Sequence, residues 1–111
     1  MTGDGVGVTT QPMREVADDR VEPRDEVYHR TRLTLADRRV VTAVVVNLSP
    51  HGLMARCDVD VAVGEWLTIA LPVVGAVGAA VRWSLGGRLG CQLEHAIDAR
   101  QYRSLLTAAG G

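Results

Sequence analysis

The sequence contains no lysine and no phenylalanine, and it has only two cysteines. All 12 basic residues are arginines, a bias that genomic base composition can produce as well as chemistry, so arginine by itself argues for little. Because the formal net charge is -1, the molecule as a whole is not a basic binder of nucleic acid polymers. Any anion-binding site must therefore be local.

Long apolar runs are also missing. No stretch approaches the roughly 20 apolar residues that a membrane-spanning helix needs, and residues 1–10 lack the basic start and apolar stretch of a secretory signal. We therefore expect a cytoplasmic protein that does not insert into membranes. Cys57 and Cys91 lie far apart in the sequence with no histidine at metal-ligand spacing, so neither a disulfide framework nor a metal site is predicted. Both alternate with apolar residues and are interpreted as small core hydrophobes.

The chain of 111 residues is long enough for one domain. Residues 1–19 are rich in glycine, threonine and acids and show no sustained periodicity, which predicts a flexible N-terminal tail. The folded domain is expected over residues 20–108.

Alternation of apolar and polar residues predicts six short strands over this domain. The second segment, "RVVTAVVVN", is apolar on both faces, and "NLSPHG" after it is interpreted as an inter-strand turn. Asp37-Arg38 and Gly86-Gly87 predict two further turns. The residues that alternate together on one side of the other strands are Val27, Thr31, Leu33 and Leu35; Leu53, Ala55, Cys57 and Val59; Leu67, Ile69 and Leu71; Val77, Ala79, Val81 and Trp83; and Leu89, Cys91 and Leu93.

A short C-terminal helix follows the strands. Asp98 and Gln101 have the spacing of a capping box, and Tyr102, Leu105 and Leu106 then recur at helical spacing. The predicted fold is all-β, a six-stranded antiparallel β-barrel with a short C-terminal α-helix, because closure removes the exposed edges of a small sheet. A two-sheet sandwich is compatible with the same pattern.

Two polar constellations could carry chemistry. Arg20 and Arg24 lie in "RVEPR" just before the first strand, and Asn47, Ser49 and Gly52 lie in "NLSPHG". Arginine forms bidentate bonds to phosphate or to a guanine edge and stacks on bases, while the amide of asparagine suits a guanine edge. The alternatives are a solvated arginine pair screened by neighbouring acids and a turn that only connects two strands.

The combination of R-x-x-x-R with N-x-S-x-x-G, in this order, resembles the PilZ domain family. The stretches "VGEWLTIALP" and "GAAVRWSLGGRLGCQLE" are similar to later parts of that family, and the resemblance covers roughly residues 20–106. It departs at Asp19, where the family often has an additional arginine, and at Leu93, where the family often has an aromatic residue.

The resemblance implies a six-stranded barrel that receives the bacterial second messenger cyclic di-GMP. It implies that Arg20 and Arg24 belong to an N-terminal arm that closes on the nucleotide, and that Asn47, Ser49 and Gly52 hold the other side of the guanine. No cofactor besides this ligand is expected. The changed surface would be read by an unidentified protein partner, such as an enzyme, a motor or a secretion component. A nucleotide-independent adaptor with the same barrel is the alternative function.

Other residues were weighed for different roles. A hydrolase is not expected, because Ser49 and His51 lie in no nucleophile-elbow motif and Pro50 follows the serine directly. His29 is interpreted as an interior or rim residue. Trp66 and Trp83 are expected to pack in the core or on the barrel surface, although each could stack on a base. Arg30 and Arg32 share one face of the first strand and either extend the anion site or are simply solvated.

Overall fold

The computed structural model describes residues 23–110. The predicted tail over residues 1–19 and the predicted site residue Arg20 therefore lie outside the described residues. In the described part, six strands precede one helix, with the bounds β1 (Asp25–Thr34), β2 (Val40–Ser49), β3 (Gly52–Cys57), β4 (Trp66–Leu71), β5 (Gly75–Leu85), β6 (Arg88–Leu93) and α1 (Ala99–Ala108).

The six strands form a closed antiparallel barrel in the order β1-β2-β3-β6-β5-β4. The barrel closes where β1 pairs with β4, with Leu33 opposite Ile69 and Thr34 opposite Thr68. Closure satisfies the backbone groups that an open sheet would leave along its edges. The predicted barrel with a short C-terminal helix is confirmed, and the two-sheet sandwich is not the fold.

Most of the side chains that alternation predicted to face inward fill the interior, together with residues of β2 and α1. The largest fully buried side chains are Leu33, Leu48, Leu53, Leu67, Ile69, Leu89, Leu105, Val45 and Val81. Cys57 and Cys91 are buried free thiols, as predicted. Burial raises the pKa of the Cys91 thiol to about 11, and the charge that Cys57 would carry as a thiolate adds to this effect.

Trp83 departs from the alternation of β5. It follows Val81 in the period of the strand, but the pairing of β5 with β6 shifts between these two residues. As a result Trp83 lies opposite Gly90 and is 40% exposed. Its indole covers Gly90 so closely that a Cβ atom there would collide with the ring. Trp66 covers Gly78 in the same manner, so both tryptophans pack on the barrel surface, one of the two roles expected for them.

Two predicted turns are confirmed. The β1–β2 turn contains Asp37 and Arg38, and Arg38 has a φ of 75°. The β5–β6 turn consists of Gly86 and Gly87 with φ angles of 59° and 81°, which glycine adopts at little cost. These turns connect the strands of the β1–β2 and β5–β6 hairpins.

Helix α1 begins as the sequence predicted. The side chain of Asp98 accepts a hydrogen bond from the backbone N–H of Gln101 at 2.9 Å, which satisfies one of the free donors at the helix start. Tyr102 and Leu105 are buried in the same hydrophobic cluster as the barrel interior. Before the helix, the N–H of Ile97 donates to the carbonyl of Pro50, so the helix is anchored next to the β2–β3 turn.

Candidate functional site

A bulge near the end of β2 sets the direction of Asn47. Val45 lies opposite Ala55 of β3, whereas Asn47 lies opposite Met54, so β2 carries one additional residue in this pair of strands. Val45 and Leu48 are both fully buried, which leaves Asn47 between them on the outer side of the barrel, half-buried. Bulges commonly redirect a side chain in this way. The amide of Asn47 is therefore presented at the barrel surface.

Arg24 lies directly before β1 and contacts this asparagine. Its Nη1 atom donates a hydrogen bond to Oδ1 of Asn47 at 3.0 Å. The arginine is exposed and the asparagine is half-buried, so the pair lies at the solvent boundary. Two predicted site residues, 23 positions apart in the chain, are thus brought together. No geometry is described for Arg20, the other arginine of its motif.

Ser49 and Gly52 form a second pair, held to each other across the β2–β3 turn. The predicted inter-strand turn is shorter than "NLSPHG", because Asn47 and Ser49 belong to β2, Gly52 begins β3, and Pro50 and His51 alone connect them. The Oγ atom of Ser49 accepts a hydrogen bond from the Gly52 N–H at 3.1 Å and lies 3.5 Å from the Gly52 carbonyl. Ser49 is 3% exposed. Its hydroxyl therefore braces the turn.

Gly52 is required for strand packing. A Cβ atom at this position would lie 2.7 Å from the carbonyl oxygen of Cys91 on β6, a distance that side chains essentially never tolerate. The φ angle of Gly52 is not positive, so backbone conformation does not demand glycine here. The demand comes from the close approach of β3 and β6.

Tyr102 on α1 contacts the chain next to both Arg24 and Asn47. Its hydroxyl lies 2.7 Å from Oδ2 of Asp25 and 2.9 Å from the carbonyl oxygen of Leu48. Asp25 follows Arg24 in the chain, and Leu48 follows Asn47. Sequence reasoning treated this tyrosine as a core residue of the helix. The hydroxyl of a buried tyrosine usually has a hydrogen-bond partner. Here the partners lie 54 and 77 residues before the tyrosine in the chain, so the sequence of the helix could not predict them.

Trp83 lies on the same outer row of the barrel as Asn47. Asn47 is opposite Met54, Met54 is opposite Gly90, and Gly90 is opposite Trp83. Because the indole extends over Gly90, its ring lies beside Met54, one strand from the asparagine. An apolar surface therefore borders the polar pair, on a side that sequence reasoning did not assign to the site.

The residues weighed for hydrolysis do not form an accessible nucleophile. The Ser49 hydroxyl is bonded to the Gly52 backbone and is almost fully buried. His29 is half-buried opposite Val45, as the interior interpretation expected. This geometry gives the hydrolase alternative no support.

The described residues thus form a closed antiparallel barrel that presents Arg24 and Asn47 together at its surface. The family model for the PilZ domain matches residues 18–109, so the chain belongs to the PilZ domain family. This is a family of cyclic di-GMP receptors and adaptor domains, not a family of enzymes. No curated protein matches the sequence. Leu93, the departure from the family pattern in the last strand, is buried in the core. In the part of the chain that the structure describes, no helix is long and apolar enough to cross a membrane.

Proposed function

We propose that the protein is a non-enzymatic receptor for cyclic di-GMP. The nucleotide would be held between an arm that carries Arg20 and Arg24 and the barrel surface formed by Asn47, Ser49 and Gly52. Membership of the PilZ family supports the identity of the ligand. The single observation that carries the proposal is the hydrogen bond between Arg24 and Asn47, because it joins the two sequence motifs at one point of the surface.

The chemistry of this pair suits a guanine nucleotide. A guanidinium group donates bidentately to phosphate oxygens or to O6 and N7 of guanine, and it stacks on a base plane. The Asn47 amide offers one acceptor and two donors for the other edge of the base. Since Arg24 and Asn47 bond to each other, binding exchanges their mutual hydrogen bond for bonds to the nucleotide. The apolar surface of Met54 and Trp83 would border the bound base.

Ser49 and Gly52 would contribute by shape. The serine hydroxyl already bonds to the glycine backbone, and the glycine allows β3 to approach β6. In this proposal the two residues hold the turn in the position that places Asn47 next to the nucleotide. A direct bond from the serine hydroxyl to a phosphate is the alternative role.

The receptor would act on a separate protein. A receptor for a bacterial second messenger would be cytoplasmic in a bacterium and would need no further cofactor. Closing the arm on the nucleotide changes the surface around Arg24 and Asn47, and an enzyme, a motor or a secretion component would read that change.

Calorimetric titration of cyclic di-GMP into the purified protein tests the proposal. Saturable binding is expected for the wild type and for Arg103→Ala, which removes an exposed arginine on α1. Binding should be lost in Arg20→Ala and Arg24→Ala, and GTP should not displace bound cyclic di-GMP. No heat and no thermal stabilisation at high ligand concentration would refute the receptor and favour the nucleotide-independent adaptor.

Tryptophan fluorescence gives an independent readout. Trp83 borders the site through Gly90 and Met54, whereas Trp66 covers Gly78 on the β4–β5 side. Cyclic di-GMP should therefore change the emission of the Trp66→Phe protein, in which Trp83 is the emitting residue. The Trp83→Phe protein should respond little. Equal changes in emission of the two proteins would show that the nucleotide does not lie on the surface between Asn47 and Trp83.

A further inference from the structure

A row of arginines crosses the outer face of the barrel away from Asn47. Arg30 of β1 lies opposite Val44 of β2, Val44 lies opposite Arg56 of β3, and Arg56 lies opposite Arg88 of β6. We call Arg30, Arg56 and Arg88 the arginine row. Neighbouring strands are about 4.8 Å apart, so the row extends over roughly 14 Å. Three positive charges are thus aligned on a molecule whose net charge is -1.

The row lacks internal compensation. All three side chains are exposed, and within residues 23–110 none of them has a side-chain hydrogen bond or an ion pair. Other arginines do find partners, since Arg39 pairs with Asp37 and Arg82 bonds to Gln92, each at 2.8 Å. Like charges directly opposite each other on neighbouring strands destabilise a sheet. The pairing of Arg56 with Arg88 therefore weakens the barrel unless an anion lies between them.

A cleft lies beside the Arg30–Arg56 part of this row. Its volume is about 530 Å³, and its lining includes Arg30, Val44 and Arg56 but not Arg88. That volume is within the range of small-molecule sites. The Gly86-Gly87 turn also lines the cleft. Thr42 adds an exposed hydroxyl to the lining.

We propose that this cleft binds a small molecule that carries two linked phosphate groups. Arg30 and Arg56 flank Val44 on either side, so their guanidinium groups can converge over the valine on one phosphate, with bidentate bonds from each. Arg88 lies opposite Arg56 on β6, outside the cleft lining, and in this proposal its guanidinium group extends to the second phosphate. Three guanidinium groups match the charge of a diphosphate better than that of a single carboxylate or phosphate.

The site is separate from the proposed nucleotide site. Val44 and Asn47 are three residues apart on β2, about 10 Å along the strand. Asp58 also lines the cleft, and its carboxylate opposes an anion there. Removing the charge of Asp58 is therefore expected to strengthen binding, which gives the proposal a test in the opposite direction.

Titration with inorganic pyrophosphate, followed by calorimetry and by ³¹P NMR at low salt without divalent metal, tests the proposal. One saturable site is expected. Arg30→Gln and Arg56→Gln should each weaken it about tenfold or more, because each removes charge-assisted hydrogen bonds. Asp58→Asn should strengthen it, and inorganic phosphate should bind more weakly than pyrophosphate. A GDP titration shows whether the cleft also accepts a nucleoside attached to the diphosphate; tight GDP binding that Arg56→Gln abolishes supports the site and identifies the larger ligand.

Two control variants separate this site from its alternatives. Arg103→Gln removes an exposed charge on α1, and Arg24→Ala removes the arginine of the proposed nucleotide site; both should leave pyrophosphate binding unchanged. Equal weakening by Arg103→Gln would show a general charge effect and overturn the proposal, as would the absence of saturable binding. Loss of pyrophosphate binding in Arg24→Ala would assign the anion to the nucleotide site instead. Because the row is exposed and like-charged, Arg56→Gln and Arg88→Gln should melt at the wild-type temperature or above it.

Discussion

Replacing Tyr102 with phenylalanine should destabilise the protein through one lost hydroxyl group. The tyrosine is 8% exposed, and its hydroxyl lies within hydrogen-bonding distance of Asp25 Oδ2 and the Leu48 carbonyl. Loss of such a bond costs about 1–2 kcal/mol of unfolding free energy, because a polar group is left without its partner. For a domain of this size, the loss corresponds to a fall in melting temperature of roughly 5–15 °C.

The second tyrosine of the chain provides a matched control. Tyr28 is 58% exposed, and within the described residues its hydroxyl has no hydrogen-bond partner, so Tyr28→Phe should leave the melting temperature unchanged. A double-mutant cycle between Tyr102→Phe and Asp25→Ala should yield a coupling free energy of about 1 kcal/mol. Chemical denaturation of the four proteins provides the values.

The cycle also tests whether the helix supports the site. Asp25 adjoins Arg24, and Leu48 adjoins Asn47, so the single O–H of Tyr102 donates next to the hydrogen bond between Arg24 and Asn47, with an acceptor within reach on either side of it. If the receptor proposal holds, Tyr102→Phe should also weaken cyclic di-GMP binding several-fold at a temperature where the variant is folded. A coupling energy near zero, together with equal melting temperatures for the two phenylalanine variants, would refute this reasoning.

Three further predictions concern stability. Ser49→Ala should lower the unfolding free energy by about 1–3 kcal/mol, because the Gly52 N–H loses its acceptor, and Gly52→Ala should lower it further through collision with the β6 backbone. Asn47→Ala, at the surface, should change the melting temperature little. An equal loss of stability in all three variants would contradict a structural role for Ser49 and Gly52 that Asn47 does not share. Val73, between Pro72 and Val74, has a φ of 71° and is 57% exposed. Val73→Gly should therefore relieve backbone strain and raise the unfolding free energy by up to about 1 kcal/mol, measured by thermal melts. A lower melting temperature would show that the strain is negligible. The pKa of Cys91 is raised from 9.0 to about 11, so the thiol of the unfolded chain loses its proton at a lower pH than the thiol of the folded protein. The contribution of Cys91 to the unfolding free energy is therefore fully present below pH 9 and is lost as the pH rises towards 11, by roughly 3 kcal/mol in total. In urea denaturation, the unfolding free energy of Cys91→Ala should fall less steeply with alkaline pH than that of the wild type.

Most of the barrel could be predicted from alternation because a strand buried on one face repeats every two residues. Inward positions such as Leu33, Leu67 and Leu89 follow this period without interruption. The Asp98 cap could be predicted for a similar reason, since a helix start is a local signal within four residues. Local periodicity was therefore enough to predict the strands, and the local capping signal was enough to predict the start of the helix.

The departures from alternation arise where one strand of a pair carries an additional residue. Trp83 continues the period of Val81 in the sequence, but a register shift against β6 turns it outward. The bulge that directs Asn47 outward likewise depends on β3, with Ala55 and Met54 opposite β2. A register shift is a property of two strands, so one strand's sequence does not reveal it. The contact between Tyr102 and Asp25 is longer in range still and left no local signal.

The division of roles within the motif decides how its mutants should be interpreted. Ser49 and Gly52 each have a sufficient structural reason for their identity, the first in a hydrogen bond across the turn and the second in the approach of two strands. Loss of nucleotide binding in either variant would follow from a displaced turn as readily as from a lost ligand bond. Arg24 and Asn47 are different, because they lie at the surface and bond chiefly through side-chain groups that a guanine could use. Evidence for direct recognition must therefore come from these two residues, with stability measured on the same variants.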